Sequence, residues 1–380
     1  MNRYIVIAGE TSGDQHGGDL ISEIKKIYNN NVSFWGIGGN QMRRAGLNQL
    51  EKIDNISVVG FSEAFKKIPS MSILLNRITK FVEDANPNGV ILIDYPGFNL
   101  KLASRIKKKS PHTKINFFIS PQVWAWNEKR INTIKKYVDQ MIVIFPFEEN
   151  YYKTHNINAK YVGHPFLDHW KSRKTSIIRD GLGLPKNKKV VGIFPGSRTQ
   201  ELKTHLPIYI DAVKKINKNR DDLVFALGLS DGFLEKDIRQ QYDLLNIRVI
   251  SDNPMGLLEC SDVAMVTSGT ISLQSTFMNT PCLVCYKLSK LSGYISKMLV
   301  KVPYISMTNI IGGEIILPEL IQSQVNPENI KSEIVDFIDN KEYLQVVKNK
   351  LKKVTETFLT KTNSIKNAAA LIVNPDNEKN

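Results

Sequence analysis

Residues 90–99 read V-I-L-I-D-Y-P-G-F-N, an apolar run that ends on a carboxylate and is followed by Pro and Gly. A run that is apolar at every position is typical of a strand buried on both faces in a parallel sheet. Asp94 would then lie at the carboxyl end of that strand, the edge at which open α/β sheets bind their ligands. The sequence therefore predicts an α/β fold with a candidate functional carboxylate at this edge.

The same pattern, an apolar run before a Gly-containing polar turn, occurs twice more. Residues 4–8 precede G-E-T-S-G-D at 9–14, and residues 190–194 precede P-G-S-R at 195–198. Strand-like and helix-like segments alternate around these runs, which predicts βαβ units and mostly parallel sheets. Strands are predicted near 3–8, 33–36, 89–93, 113–118, 140–144, 190–194, 222–226, 247–250, 263–266 and 282–286.

The length of 380 residues is too great for one ordinary hydrophobic core, so we expect more than one domain. The last segment lacks strand-like runs and reads as helices that end in a polar tail. The predicted division is a Rossmann-like domain at 1–170, a basic linker at 171–189, a second Rossmann-like domain at 190–326, and helices with a tail at 327–380 that pack back on the N-terminal domain or on a partner subunit.

The formal net charge of +14 favours an acidic partner, which could be nucleic acid, an anionic lipid surface or a phosphorylated substrate. No motif that reads nucleic acid is present, so we expect no nucleic-acid partner. The stretches 61–81 and 287–301 combine apolar residues with Lys and Arg, which is typical of an amphipathic surface helix or of a segment that binds an anionic bilayer. No signal peptide or transmembrane segment is evident, which predicts a cytoplasmic protein.

The three cysteines form no spaced framework, and Cys282 and Cys285 lie inside an apolar run of strand type. We therefore interpret them as core thiols in a reducing compartment and not as metal ligands. The dinucleotide fingerprint and the P-loop are missing, and no Asp-x-Asp pair is present to hold a divalent ion. The sequence predicts neither a metal site nor a cofactor.

Two turns of the second half suit an anion. The turn that contains Gly196, Ser197 and Arg198 would place helix N–H groups and a guanidinium at the sheet edge. A second turn, T-S-G-T at 267–270, offers Gly for close approach and hydroxyl side chains for capping. Each alone could be a plain strand-to-helix turn. Together they predict one phosphate site whose residues include Ser268, Gly269 and Thr270.

Asp94 has two candidate roles that the sequence leaves open, a general base or a cap for a helix that starts near Phe98. In the first turn, Ser12 could cap a helix, whereas Glu10 precedes that cap and is a candidate functional residue.

Three more residues draw attention for their position alone. Trp124 and Trp126 follow a predicted strand, and we interpret them as wall residues of a cleft. His164, in G-H-P, is interpreted as a turn histidine, with a position near a domain hinge as the alternative.

Seven motifs in one order resemble those of the lipid-A-disaccharide synthase family, along nearly the whole chain. They are G-E-T-S-G-D from Gly9, I-D-Y-P-G-F-N from Ile93, S-P-Q-V-W-A-W from Ser120, V-G-H-P from Val162, P-G-S-R from Pro195, S-G-T from Ser268 and N-I-I-G-G-E from Asn309. Each motif alone is weak, but all of them in register are highly specific.

The resemblance implies a GT-B glycosyltransferase with two Rossmann-like doubly wound domains, a UDP-sugar donor held mainly by the C-terminal domain, and no metal. It implies transfer of 2,3-diacylglucosamine from UDP-2,3-diacylglucosamine to the 6-hydroxyl of 2,3-diacylglucosamine 1-phosphate, with inversion to a β-1,6 linkage. The enzyme would act as a peripheral protein at the cytoplasmic face of the inner membrane, and a homo-oligomer is allowed.

The resemblance also implies residue roles. Asp94 would be the catalytic base, Glu10 and Ser12 would form a functional first turn, and Asn309 would be a polar residue of the donor site. Arg198 would contact the diphosphate, and residues 268–270 would form the phosphate loop.

Two positions depart from the family's pattern. Gln274 replaces an acid that would hold the ribose hydroxyls, which changes the hydrogen bonding expected there, and Gly97 replaces a second Asp, which leaves Asp94 as the carboxylate of its motif. The alternatives to this assignment are another GT-B enzyme, such as a UDP-N-acetylglucosamine epimerase or another UDP-sugar transferase, and a non-catalytic protein that binds nucleotide sugars or a membrane surface.

Overall fold

The computed structural model describes residues 1–53, 68–125, 127–218, 220–230, 232–244, 246–287 and 303–374. Trp126, the first part of the stretch 61–81 and almost all of 287–301 lie outside the described residues. The chain divides into two compact units. Unit 1 is Met1–His169 with Phe358–Asn380, and unit 2 is Trp170–Thr357.

The described residues of unit 1 form a seven-stranded parallel sheet. Its strands are β1 (Asn2–Ala8), β2 (Val32–Gly38), β3 (Leu47–Lys52), β4 (Gly89–Ile93), β5 (Ile115–Phe118), β6 (Gln140–Val143) and β7 (Ala159–Tyr161). Its first helices are α1 (Thr11–Ile27), α2 (Asn40–Ala45), α3 (Ile68–Ala85), α4 (Pro96–Lys109), α5 (Arg130–Tyr137), α6 (Pro146–Thr154) and α7 (Pro165–His169).

The strand order in unit 1 is β3-β2-β1-β4-β5-β6-β7. The chain first builds outward from β1 to β3 and then returns to the other side of β1 to place β4. The order of strands therefore reverses between β1 and β4, which is the position where open α/β sheets bind ligands. Every residue of β4 is buried, in agreement with its continuous apolar sequence.

Unit 2 repeats this architecture. Its strands are β8 (Lys189–Phe194), β9 (Leu223–Gly228), β10 (Arg248–Ile250), β11 (Val263–Thr267), β12 (Cys282–Tyr286) and β13 (Glu319–Ile321), in the order β10-β9-β8-β11-β12-β13. The remaining helices of the described chain are α8 (Thr175–Gly181), α9 (Thr199–Asn217), α10 (Glu235–Gln241), α11 (Pro254–Cys260), α12 (Thr270–Phe277), α13 (Met307–Gly312), α14 (Pro327–Asp339), α15 (Lys341–Phe358) and α16 (Ser364–Val373). Here the order reverses between β8 and β11.

These two sheets confirm the predicted α/β fold of two Rossmann-like doubly wound domains, and each predicted strand is present. The short edge strands β3, β7 and β13 were not predicted. Strand β3 reads L-N-Q-L-E-K and is only partly buried, so its sequence shows no continuous apolar run. Edge strands such as this one form because a neighbour offers backbone partners, which the local sequence does not show.

The domain limits also differ from those expected. The segment predicted as a linker contains α8 and belongs to unit 2. Helix α14 buries Ile330, Ile334 and Phe337 and packs on α9 of unit 2. In contrast, α16 returns to unit 1, where it packs on α1, and Asn367 donates a 3.0 Å hydrogen bond to the carbonyl of Val162. Among the described C-terminal helices, α14 thus packs on unit 2, whereas α16 and the last residue of α15, Phe358, pack on the N-terminal unit.

The prediction that the cysteines are core thiols is confirmed, because Cys260, Cys282 and Cys285 are free and buried. Burial raises the pKa of the Cys282 and Cys285 thiols to about 12, so both stay protonated. Among the described helices, none is both long and apolar enough to cross a membrane.

Candidate active site

The reversal point of unit 1 brings together two of the predicted turns. Strands β1 and β4 are parallel neighbours in which Ala8 pairs with Ile93, so the residues that follow them emerge at the same edge. The backbone N–H of Asp94 donates to the carbonyl of Phe118 on β5 (3.0 Å). The buried amide of Asn99 donates to the carbonyls of Ile93 (3.2 Å) and Asp94 (2.7 Å), which fixes the turn from inside.

The backbone at this edge is strained. Asp94 and Tyr95 have φ angles of 46° and 47°, and Ile119, which follows β5, has φ of 64°. Left-handed backbone is costly for residues with a Cβ, and most of all for a β-branched residue such as Ile. Strain of this kind concentrates at functional sites, where the surrounding structure enforces it.

Gly9 is required by close packing against this turn. A Cβ at position 9 would lie 2.2 Å from Cδ1 of Tyr95, which is far inside contact distance. The first turn can therefore pass beside Tyr95 only because residue 9 has no side chain. Glu10, the N-cap of α1, is exposed and makes no side-chain capping hydrogen bond.

The carboxyl of Asp94 has a perturbed acidity. Its pKa is raised to about 6, mainly by burial and in part by the negative charge of Glu10, whereas a hydrogen bond from the backbone of Tyr95 lowers it. The following helix, α4, begins at Pro96 and has Tyr95 as its N-cap. Asp94 precedes the cap position, so the alternative that it merely caps this helix is wrong. Ser12 is likewise not a cap, because it lies inside the first turn of α1 and is exposed.

A fully buried carboxyl of unit 1, that of Glu148, was not predicted. It lies in the first turn of α6, is completely buried, and accepts a 3.0 Å hydrogen bond at Oε1 from the indole Nε1 of Trp124. Burial raises its pKa to about 7. A signal was present in the sequence, since Glu148 follows directly on F-P-F at 145–147, where an acid is unusual.

Two other polar residues of the motifs have structural roles. Asp14 is buried and accepts hydrogen bonds from the backbone N–H groups of Gly39 (2.7 Å), Gln41 (2.9 Å) and Met42 (3.0 Å), which anchors the start of α2. His164 packs between the rings of Phe145 and Phe358, and burial lowers its pKa to about 3. These surroundings fit the turn histidine of the sequence interpretation.

The reversal point of unit 2 brings the two Gly-containing turns together. Phe194 of β8 pairs with Val266 of β11, so both turns emerge at one edge. Gly196 has φ of 114° and Gly269 has φ of 155°, a region that residues with a Cβ rarely adopt. A cavity of about 270 Å³ opens there. Its lining comprises Phe194, Gly196, Ser197, Arg198, Glu201, Gly228, Ser230, Pro254, Met255, Thr267, Ser268, Gly269, Thr270, Ile271 and Gln274.

The two turns differ in what they can offer an anion. In the first turn, the backbone N–H groups of Ser197 (3.0 Å) and Arg198 (3.2 Å) already donate to Oε2 of Glu201. The expectation that these N–H groups bind a phosphate is therefore corrected, because a carboxylate occupies them. What this turn offers is the Arg198 side chain, which is 67% exposed. In the second turn, Gly269 is the N-cap of α12 and no side-chain cap bond is made.

Asn309 has a different environment from the one expected of a donor-binding residue. It is fully buried, and its amide donates to the carbonyl of Leu317 and to Oε1 of Glu319 (both 2.8 Å). Its Oδ1 accepts from the backbone N–H groups of Ile316 and Leu317 (both 2.9 Å). The side chain thus has its full complement of hydrogen bonds within the protein. It is not among the described residues that line the cavity, and it holds the segment between α13 and β13 in place.

The comparisons with known proteins agree across nearly the whole chain. A family model described as lipid-A-disaccharide synthetase matches residues 4–373. The chain is 36% identical over 350 residues to the lipid-A-disaccharide synthase of Nitrosococcus oceani. The aligned region covers 91% of this chain and 89% of that protein. The chain is 35% identical over 360 residues to the lipid-A-disaccharide synthase of Trichlorobacter lovleyi, and the aligned region covers 93% of this chain and 92% of that protein.

Solved structures agree at the level of the fold. The S. aureus MnaA–UDP co-structure has a TM-score of 0.64 at 12% identity, over 98% of this chain and 95% of that one. The spinosyn forosaminyltransferase SpnP has a TM-score of 0.61 at 11% identity, over 100% of this chain and 98% of that one. Together with the two doubly wound sheets, these likenesses show the predicted GT-B fold.

Proposed function

The chain belongs to the lipid-A-disaccharide synthase family, glycosyltransferases of lipid A biosynthesis, and we propose that it joins two acylated glucosamine units. The donor is UDP-2,3-diacylglucosamine, the acceptor is 2,3-diacylglucosamine 1-phosphate, and the products are the β-1,6-linked disaccharide 1-phosphate and UDP. The single observation that carries the assignment of roles is the half-buried Asp94, held in a strained backbone conformation at the reversal point of unit 1.

Asp94 acts as the general base. With a pKa raised to about 6, its carboxyl is ionised at neutral pH and is still a better proton acceptor than an ordinary aspartate. It takes the proton of the acceptor 6-hydroxyl as that oxygen attacks the anomeric carbon of the donor. The bond from the anomeric carbon to the diphosphate breaks on the opposite side, so the configuration inverts, and UDP leaves with the electron pair.

The leaving diphosphate is stabilised by unit 2. The guanidinium of Arg198 and the N-terminal turn of α12 at Gly269 and Thr270 line one cavity, and both favour negative charge. Ser197 and Ser268 add hydroxyl groups to the same lining, and Gln274 offers an amide to the ribose. The carboxylate of Glu201 does not act as a base on the donor, because it accepts hydrogen bonds from the backbone N–H groups of the first turn.

The acylated substrates suggest where the enzyme works. Ile73 on α3 is 68% exposed, and Arg77 and Lys80 lie on the same helix. An exposed apolar side chain near basic residues, on a chain of net charge +14, supports association with the anionic surface of the inner membrane from the cytoplasmic side. Sedimentation with anionic and with neutral vesicles tests this point, and equal binding to both would contradict it.

The decisive experiment is a product assay. The purified chain is incubated with UDP-2,3-diacylglucosamine and 2,3-diacylglucosamine 1-phosphate in the absence of divalent metal, and the products are identified by mass spectrometry. We expect the disaccharide 1-phosphate and an equal amount of UDP. Release of UDP without a disaccharide, or an isomerised UDP-sugar, would instead indicate another UDP-sugar enzyme, and binding without turnover would indicate a non-catalytic protein.

A further inference from the structure

Glu148 is held in a fully buried position that links two loops of the active-site edge. Its Oε1 accepts the indole hydrogen bond of Trp124, and its own backbone N–H donates to the carbonyl of Phe145 (3.1 Å). No salt bridge to Glu148 is found within the part of the chain that the structure describes. A carboxyl in such a position is costly as an anion, so its neutral form is favoured.

The loop after β5 is fastened to α6 at several points. Tyr152 donates a hydrogen bond from its hydroxyl to the carbonyl of Pro121 (3.1 Å), and Trp124 donates to Glu148. The ring of Phe147 also packs edge-on against the indole of Trp124, with 5.0 Å between ring centres. The loop begins at the left-handed Ile119, next to the strand that binds the backbone of Asp94. Trp124 is therefore fixed by two consecutive residues of α6, while the residue as a whole is only half-buried.

Glu148 and Asp94 influence each other electrostatically. Burial is the largest cause that raises the pKa of Glu148 to about 7, and the charge of Asp94 adds to it. Glu10 raises the pKa of Asp94 in turn, and burial keeps the pKa of Tyr152 high, so that its hydroxyl stays neutral. The charge of Asp94 thus adds to burial in opposing the ionisation of Glu148.

We propose that Glu148 is a positioning residue for the reaction, an inference that rests on the proposed function of Asp94. The carboxyl of Glu148 accepts the hydrogen bond that holds the indole of Trp124 in the orientation in which the ring contacts the acceptor sugar. An aromatic ring against a sugar ring is an ordinary means of orienting carbohydrate, and its benefit depends on the ring being fixed.

Steady-state kinetics with matched variants test the positioning role. Glu148→Leu removes the acceptor of the indole hydrogen bond, and we expect kcat/KM for the acceptor to fall about tenfold while UDP binding is unchanged. Glu148→Gln keeps an oxygen at that place and should restore most of the loss. Trp124→Phe should lower kcat/KM to a similar extent, and the double variant Glu148→Leu with Trp124→Phe should lose little more. Full turnover in Glu148→Leu, or strictly additive losses, would overturn the proposal.

A spectroscopic measurement decides the question even if the enzyme lacks the proposed activity. In protein labelled with fluorotryptophan, the fluorine signal of Trp124 is identified by its absence from Trp124→Phe. We expect this signal to titrate with a midpoint near pH 7, to lose that titration in Glu148→Gln, and to titrate at lower pH in Asp94→Asn, since the charge of Asp94 is then gone.

Glu149→Gln is the matched control, because Glu149 is the next residue on α6 and is bound to Lys153 (2.6 Å) and to the backbone of Tyr161 (2.7 Å). This variant should leave both the Trp124 titration and turnover unchanged. A Trp124 signal that titrates equally in Glu148→Gln and in the wild type would overturn the role of Glu148. Absence of disaccharide formation by the wild type would instead overturn the proposed function.

Discussion

The reversal points of the two units have the same topology and opposite chemistry. In each unit the strand order reverses beside the first strand, between β1 and β4 in unit 1 and between β8 and β11 in unit 2. The edge in unit 1 carries the half-buried carboxyl of Asp94 and the fully buried carboxyl of Glu148, both with a raised pKa. The edge in unit 2 carries two glycine turns and the exposed guanidinium of Arg198.

The backbone differs in the same way. The left-handed residues at the edge of unit 1 include Asp94 and Ile119, which adopt that conformation at a cost, whereas those of unit 2 include Gly196 and Gly269, which adopt it freely. A raised carboxyl pKa suits a proton acceptor, and glycine turns with Arg suit an anion. Under the proposed function, the fold sets where a ligand binds, and a few side chains at each edge set the chemistry there.

The largest expected effect comes from removing the base. Asp94→Asn should lower kcat by about a hundredfold or more, the size of a lost general base, while the affinity for UDP stays unchanged. In the wild type, kcat/KM should rise with pH and level off above about 6, as Asp94 becomes deprotonated. Steady-state kinetics measure the loss of turnover and its pH dependence. Calorimetry measures the affinity for UDP. Undiminished turnover in Asp94→Asn would mean that the edge of unit 1 does not supply the base, and the proposed chemical difference between the two edges would be wrong.

The second prediction concerns the stability cost of the same carboxyl. The folded pKa of about 6 lies above the ordinary value of 3.8, so the folded protein loses stability as the pH rises between these values. Above pH 6 the penalty is fully present, and Asp94→Asn should then be more stable than the wild type by about 2 kcal/mol. Below pH 4 the difference should vanish. Thermal unfolding at both pH values measures it.

A control for this second prediction removes a carboxylate that is exposed. Asp211 lies on α9, and its side chain is 59% exposed. Asp211→Asn should change the midpoint of thermal unfolding little at either pH. An equal gain for both variants would mean that net charge, and not the burial of Asp94, controls the stability.

A third prediction addresses the edge of unit 2. Arg198→Gln removes the cation of the cavity, and we expect UDP to bind about tenfold more weakly, with the loss reduced at high salt. Arg239→Gln on α10 is the matched control, since Arg239 is an exposed arginine of the same unit that pairs with Glu235 (2.7 Å). It should leave UDP binding unchanged. Equal affinities of the Arg198→Gln variant and the wild type would show that the helix terminus alone binds the diphosphate.

The smallest expected effect is at Gln274, where the family resemblance places a carboxylate. Gln274 lines the cavity of unit 2. Gln274→Glu should strengthen UDP binding about threefold, because a charged acceptor makes a stronger hydrogen bond to a ribose hydroxyl. The gain should shrink with deoxyuridine diphosphate, which lacks one of these hydroxyls. If the Gln274→Glu variant binds both nucleotides more weakly, the added negative charge must repel the diphosphate, and position 274 would face the diphosphate and not the ribose.

Much of this architecture could be predicted from local sequence. The apolar runs before Asp94 and before Pro195 mark strands buried on both faces, and the turns that follow them mark the edges where ligands are met. The turns of 196–198 and 268–270 were expected at one place, and they do line one cavity. The sequence was sufficient here because strand burial and turn chemistry are local properties.

Other features depend on partners distant in the sequence. Glu148 and Trp124, which share a hydrogen bond, are separated by 24 residues in the sequence. The amide of Asn309 donates a hydrogen bond to Glu319 on β13, a strand that only folding brings near. The carboxylate of Glu201 is a local partner, four residues from Ser197 and three from Arg198, but the backbone conformation that lets it take the N–H groups expected for a phosphate is set only by the fold. The assignment of α14 to unit 2 and α16 to unit 1 is also set by which apolar faces meet.

The sequence by itself determined the class of fold, and it predicted the carboxyl edge as the place of the site and Asp94 as its principal carboxylate, because periodicity and turn residues act over a few positions. Only the tertiary structure decided the ionisation of that carboxylate and its buried neighbour. A pKa depends on burial and on nearby charges, and both are supplied by segments that the chain brings together from far apart.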